Sequence, residues 1–439
     1  MDNNEMLENE YSTQENVKAV NKKKKVIFPA SAVLLLGVGV AAVMGVKYNN
    51  LVKSYEDKVY PNVYVRDTNV GGMTKEQLSE TLGGMLTGVT DTQIAITACD
   101  QTFTRTKGEL GANVDINNIS DQVLAYGKDK GFFEKVSMIK KGKAQKNEPQ
   151  HVEFNVSYDK ELANNFVNEI AEVVNKEAID GQISISSGGA IDVTPSVNGA
   201  TLNTEDLLSK IDTAIMDLNT EGQANVPADV ATVEPKVTTE ALHAVNSKVS
   251  TYTTTYSSGP SGYNIEVGVK FIDNVVIMPG EEFSTTAHIG TTGPEKGYVL
   301  SNTYVNGQVV KNYGGGVCQI SSTLYNTQLR LGIIPTERLF HMMPVTYVSP
   351  GLDATIGDES PDLKFVNPYD TPIVINAYAG GGAVTVEMWS RENVTNGLTF
   401  KPYSEGGTYY ADTYLSTYDA NGAHVKTEYI DSSRYMPFN

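Results

Sequence analysis

Cysteine is almost absent: the 439 residues include two, Cys99 and Cys318, far apart in the chain. That excludes a disulfide framework as the source of the fold, and a single bridge between them is not expected. Histidine is scarce as well, with five residues, and no Cys-x-x-Cys or His-Glu-x-x-His spacing occurs, so no metal site is implied. No glycine-rich loop leads into Lys-Ser or Lys-Thr, and no cofactor is implied. Positive charge is short too: 34 Lys and Arg face 52 Asp and Glu, a net charge of -18. Phosphate recognition needs a basic stripe that this chain lacks, which excludes nucleic acid as a partner and leaves acidic solubility as the plain reading.

What is present begins with one long apolar run. Between Val26 and Val46 no residue is charged, and at about 1.5 Å per residue the run reaches roughly 30 Å, the thickness of a bilayer's hydrocarbon core. It predicts a transmembrane helix over 26–46 in preference to a cleaved signal, since it continues to Lys47 without a clear cleavage site. Lys22, Lys23, Lys24 and Lys25 flank it, so the positive-inside rule makes 1–25 a cytoplasmic tail, polar and disordered over its first 21 residues. The expected location is therefore the cell membrane, single-pass, with the working part extracytoplasmic. Lys47 to Lys58 reads as a helical stalk.

The fold class expected beyond it is α+β and multidomain. Residues 60–240 alternate strand-like runs (Asn62 to Val65, Gln93 to Thr97) with amphipathic helical runs (Thr74 to Leu82, Asp159 to Val174). A weak repeat, Gly111 to Asp115 before one helix and Gly199 to Asn203 before another, suggests two similar halves, about 60–145 and 150–240. Between them Lys140 to Glu148 is rich in Lys, Asn and Gln and reads as a linker. From Tyr263 the texture becomes mostly β: Ile265 to Val275, a Pro279-Gly280 turn, Gln308 to Val310, and Thr371 to Val386. The last segment, 397–439, alternates on either side of Asp419-Ala420-Asn421-Gly422 and predicts a two-stranded β-ribbon carrying a structural His424.

One stretch carries chemistry: Tyr313-Gly314-Gly315-Gly316-Val317-Cys318-Gln319-Ile320-Ser321-Ser322-Thr323-Leu324-Tyr325-Asn326. The glycines mark a tight turn, and Ile320, Leu324 and Leu331 then recur at helical spacing with Gly332 as a stop. Cys318 thus falls at a helix N-terminus, where partial positive charge and free N–H groups favour a thiolate and can hold an oxyanion. An arbitrary cysteine at a helix start is more often a small buried apolar group, which is the reading for Cys99 in its apparent strand.

Taken with Pro279-Gly280-Glu281-Glu282-Phe283-Ser284, Gly297-Tyr298, Glu337-Arg338, His341 and Gly351-Leu352-Asp353-Ala354-Thr355, the stretch resembles the VanW domain over about 245–386. Residues 60–240, through Val70-Gly71-Gly72-Met73-Thr74 and Pro195-Ser196-Val197-Asn198-Gly199, resemble the peptidoglycan-binding-like regions that precede catalytic domains of wall enzymes; a pure spacer is the alternative. The resemblance implies peptidoglycan stem peptides as partner and, because some VanW-domain proteins are L,D-transpeptidases, acyl transfer through a cysteine. A scaffold that binds the wall without turnover, or a cysteine hydrolase releasing the acyl group to water, remain alternatives.

Under that reading Cys318 is the nucleophile and His341, which matches the family's histidine, is the base, with His288 as the other histidine of the domain. Asp353 or Asp362 orients the imidazole, either being equally a turn residue. The backbone of Gly315 and Gly316, with Gln319, Tyr313 and Ser321, surrounds the oxyanion and substrate. Arg338 and Lys364 bind a stem carboxylate or pair with local acids.

Overall fold

A computed structural model describes residues 30–305 and 308–437. It divides into two compact units, the first comprising residues up to Thr97 with Thr102–Phe166 and Leu208–Pro227, the second comprising Ala98–Gln101, Val167–Leu207 and Ala228–Asn439. Both are α+β, built from small sheets.

The expected membrane span is corrected. Val26 to Pro29 and the expected cytoplasmic tail, 1–25, lie outside the described residues. From Ala30 the chain is helical through to Lys53, so Lys47, Tyr48, Asn49 and Asn50 continue the helix that the apolar run begins. Among the described residues no helix is long and apolar enough to cross a membrane. The expected single-pass placement, with the membrane as partner, is therefore not supported by the described residues.

In the first unit a capping box starts the helix Lys75–Thr90: the Gln77 N–H donates to the Thr74 hydroxyl while the Thr74 N–H donates to the Gln77 side chain. Leu78, Leu82 and Val89 then face the core with Val59, Val63, Val65 and Val123. Strand Gln93–Ala98 pairs in parallel with Gln223–Pro227. Cys99 follows it with φ +52 and is exposed, so it is a turn residue and not the buried strand residue expected. The stretch expected as a linker is helical as far as Lys143, in Phe132–Lys143.

In the second unit an antiparallel sheet runs in the order Ser247–Thr255, Ala383–Ser390, Ile373–Gly380, Val275–Ile277. The segment Ile265 to Val275, read as a strand, is instead helical as far as Phe271, in the helix Pro260–Gly268 and the 3-10 turn Val269–Phe271, and turns to strand only at Val275. Proline at the first helical position and buried Ile265, Val269 and Ile272, at i, i+4 and i+7, have helical period. The helix Val317–Arg330 packs against Ser247–Thr255 and Ala383–Ser390. From Val317 to Leu329 every residue but Cys318 is buried.

A helix buried all round must satisfy its polar side chains internally. The hydroxyls of Thr254 and Thr323 meet at 2.8 Å, Ser250 donates to the Thr327 carbonyl at 2.7 Å, and Asn326 donates to the Leu352 carbonyl at 2.7 Å. The C-terminal ribbon is a three-stranded sheet, Thr399–Gly407, Tyr410–Tyr418 and His424–Arg434, with one strand more than expected. Its inner face, through Phe400 and Leu415, packs on the same core.

The helix bearing Cys318 starts at Gly316, whose φ is +112; a Cβ there would stand 2.5 Å from the Ser261 carbonyl oxygen. Gly316→Ala is expected to cost about 1–3 kcal/mol of strain and to displace the first turn. A lowered thermal midpoint checks this; an unchanged midpoint refutes it.

Candidate active site

Two elements bring the chemistry together. One is the first turn of Val317–Arg330, which carries Cys318 as its second residue. The other is the loop 339–355, closed where the Thr355 N–H donates to the Leu339 carbonyl at 2.8 Å in an antiparallel bridge. Two residues inward from each end of that bridge stand His341 and Asp353, opposite one another. The run Val345 to Val348, read as a strand, is part of this loop and forms none. Ser321 and Ser322 tie the helix to the loop: both hydroxyls donate to the Ala354 carbonyl, at 2.6 and 3.2 Å, and the Ala354 N–H donates to Ser322 at 3.0 Å. These bonds tie the first turns of the helix that bears Cys318 to the loop that carries His341.

His341 presents Nδ1 to Asp353 Oδ2 at 2.7 Å, and its backbone N–H donates to the same oxygen at 2.7 Å. With Nδ1–H so engaged, Nε2 is left to Cys318 and to the Tyr347 hydroxyl 3.5 Å away. The other carboxylate oxygen, Asp353 Oδ1, accepts from Arg338 Nη2 at 3.2 Å and from the Tyr435 hydroxyl at 2.5 Å. Asp353 is fully buried, and Arg338 also donates to the carboxylate of Asp431 and the hydroxyl of Ser433, both at 2.9 Å. A buried carboxylate with four donors is held in one orientation.

Ionisation follows from this arrangement. Burial pushes the Cys318 thiol up, but the hydrogen bond and charge of His341 outweigh it and the thiol lies below its ordinary value. Burial alone would lower His341, yet the hydrogen bond to Asp353 and the interaction with Cys318 push it up to about 9. Asp353 would likewise rise on burial and is instead held low, by its hydrogen bond with His341 and by the charges of His341 and Arg338. Thiolate and imidazolium therefore coexist from the depressed thiol pKa up to about 9. Alkylation by iodoacetamide should accordingly show an apparent thiol pKa below that of a free thiol, about 8.5, and change again as the imidazolium is lost. A rate profile following one ordinary thiol titration would contradict this.

Of the four N–H groups that open the helix, Val317 donates to the Gly314 carbonyl and Gln319 to that of Gly316, which leaves those of Gly316 and Cys318 free of such bonds. Gly315 is locked in place, its carbonyl accepting from Asn264 and Ser301, both at 3.1 Å. The Gln319 amide is committed elsewhere, donating to Thr254 and to the Thr255 carbonyl, both at 2.9 Å. Tyr313 is half-buried against the core at the end of strand Gln308–Tyr313.

Of the other expected residues, Asp362 accepts from Ser284 at 2.5 Å and from the Thr286 N–H at 2.9 Å, and faces no histidine ring. Arg338 is buried on its acids, Lys364 pairs with Glu337 at 2.8 Å, and His288 stacks on Phe283. Sequence reasoning missed Tyr347, Thr355, whose hydroxyl lies 3.6 Å from the Cys318 sulfur, and all three C-terminal partners, Asp431, Ser433 and Tyr435. No spacing signal marks these last three; a tyrosine-rich strand was the sole hint.

His341, Tyr347 and Thr355 line a cavity of about 560 Å³ whose remaining wall is mostly apolar, with Leu339, Met342, Met343, Val345 and Met436, and one cation, Arg434. Cys318 is not part of that wall; Thr355, which is, lies 3.6 Å from its sulfur. Among the described residues no group of three His, Cys, Asp or Glu side chains could hold a metal ion.

Residues 261–389 match the family model described as VanW like protein, and residues 103–221 match a peptidoglycan binding domain. The uncharacterized protein YoaR of Bacillus subtilis (strain 168) is 34% identical over 181 residues, 40% of this chain and 60% of that protein. The vancomycin B-type resistance protein VanW of Enterococcus faecalis (strain ATCC 700802 / V583) is 29% identical over 113 residues, 25% of this chain and 41% of that protein. The chain thus spans less than two thirds of the length of either relative. No solved structure matches it. Residues 261–389, which contain Cys318, His341 and Asp353, are thus similar to VanW-like proteins, and residues 103–221 to a peptidoglycan binding domain, and these relationships suggest a cell-wall-related role.

Proposed function

We propose that the chain is a cysteine acyltransferase of peptidoglycan, an L,D-transpeptidase that joins stem peptides through their third residues. The observation that carries this is His341, held on Asp353 through Nδ1 at 2.7 Å and interacting with Cys318 so that the thiol lies below its ordinary pKa and the imidazolium above its own. The matches to a VanW-like domain and a peptidoglycan binding domain supply the substrate class.

In the first half-reaction the Cys318 thiolate attacks the carbonyl carbon of the third stem residue. The oxyanion is met by the N–H groups of Cys318 and Gly316, and the C–N bond to the terminal D-alanine breaks as His341 Nε2 gives that amine its proton. A thioester remains. In the second, an amine of another stem attacks the thioester, its proton passes to His341, and the thiolate leaves. Asp353 holds the imidazole throughout. Water in place of the amine would give a carboxypeptidase or endopeptidase.

Mass spectrometry of the products from purified tetrapeptide muropeptides tests the reading. Dimers linked between third residues with loss of D-alanine are expected from the wild type and from Cys99→Ala. Monomers shortened without dimers would make water the acceptor; unaltered substrate would leave a binding scaffold.

A further inference from the structure

Tyr435 lies beyond the family-matched segment, which stops at residue 389. Its ring packs edge-on against Phe340 at 5.6 Å, a contact phenylalanine would serve equally. The hydroxyl does something phenylalanine could not. Buried, it donates to Asp353 Oδ1 at 2.5 Å and accepts from the Gly351 N–H at 2.6 Å. On either side of it the C-terminal strand grips the same loop. Asp431 and Ser433 hold Arg338, and the Met436 N–H donates to the Met342 carbonyl at 2.8 Å, next to His341.

We infer that the C-terminal sheet completes the active site, with the Tyr435 hydroxyl as a positioning residue that orients Asp353 and, through it, the His341 imidazole. This rests on the acyl-transfer reading. With Arg338 and Tyr435 on Oδ1 and His341 on Oδ2, the carboxylate can neither rotate nor spend its whole charge on the imidazole. Without the hydroxyl, Oδ1 keeps Arg338 alone. More of the charge then faces the ring, which holds its proton more tightly and in a looser orientation.

Tyr435→Phe in the full chain tests this against Tyr429→Ala, which alters an exposed residue of the same sheet. For Tyr435→Phe the alkaline step in the iodoacetamide rate profile, near pH 9 in the wild type, should move to higher pH. Turnover on tetrapeptide muropeptides should fall roughly tenfold or more, mainly in kcat, while Tyr429→Ala should match the wild type in both. A lower thermal midpoint with an unmoved profile and unchanged kcat would make Tyr435 merely structural and overturn the inference, as would a profile moving to lower pH or no change at all. Wild-type protein that gives no products contradicts the proposed function instead, and the alkylation profile, which needs no substrate, still decides the role of Tyr435.

Discussion

Cys318→Ala is expected to fold as the wild type does and to lose at least ~10⁴-fold in turnover, because no other group at the site can form the thioester. The side chain is the one residue between Val317 and Leu329 not fully buried, so its truncation leaves the helix packing intact. The loss should therefore be purely chemical: an unchanged thermal midpoint with no acyl transfer. Removal of the thiolate also deprives His341 of the partner that helps keep it protonated, so the ring should titrate below about 9 in the variant. Cys99→Ala, at an exposed turn, should change none of these. Equal turnover in the two variants would refute the assignment.

Asp353→Asn is expected to damage stability and activity together. Replacing the carboxylate by an amide presents a donor or a weak acceptor to Nδ1, so the imidazole loses both its counter-charge and its fixed tautomer; a drop of about 10⁴-fold in turnover is the scale of such a change. Arg338, almost fully buried, loses one of its two acids, and breaking a buried pair costs about 3–5 kcal/mol. The sign with pH follows from the depressed Asp353. Its contribution is fully present above the ordinary carboxylate value and is lost as pH falls through the lower, folded value. The wild-type thermal midpoint should accordingly fall further on acidification than that of Asp353→Asn. Parallel pH curves for the two proteins would contradict this linkage.

The place of Cys318 at a helix start was legible in the sequence because its signal is local. Three glycines followed by helical spacing fix a helix start, and a helix start fixes what a cysteine there faces. Asp353 was one of two equal choices, because what decides it is the bridge between Leu339 and Thr355, a pairing no periodicity announces. Asp362, its rival, is spent on the short helix that begins after Ser284. Tyr435, Asp431 and Ser433 were illegible, since they reach the site across more than eighty residues of chain. In the fold, Ile265 to Val275 misled because a run of apolar and small residues admits both periods, and Pro260 decided for the helix. For the uncharged run before Lys47 the expectation rested on absence of charge, and among the described residues no helix is long and apolar enough to cross a membrane.

The most direct measurement is intact-protein mass spectrometry of the full chain mixed with tetrapeptide stems in the absence of an acceptor amine. A covalent adduct on Cys318, with the mass of the donor less D-alanine and absent from Cys318→Ala, is the predicted result. No adduct on either protein, or the same adduct on both, would contradict the account.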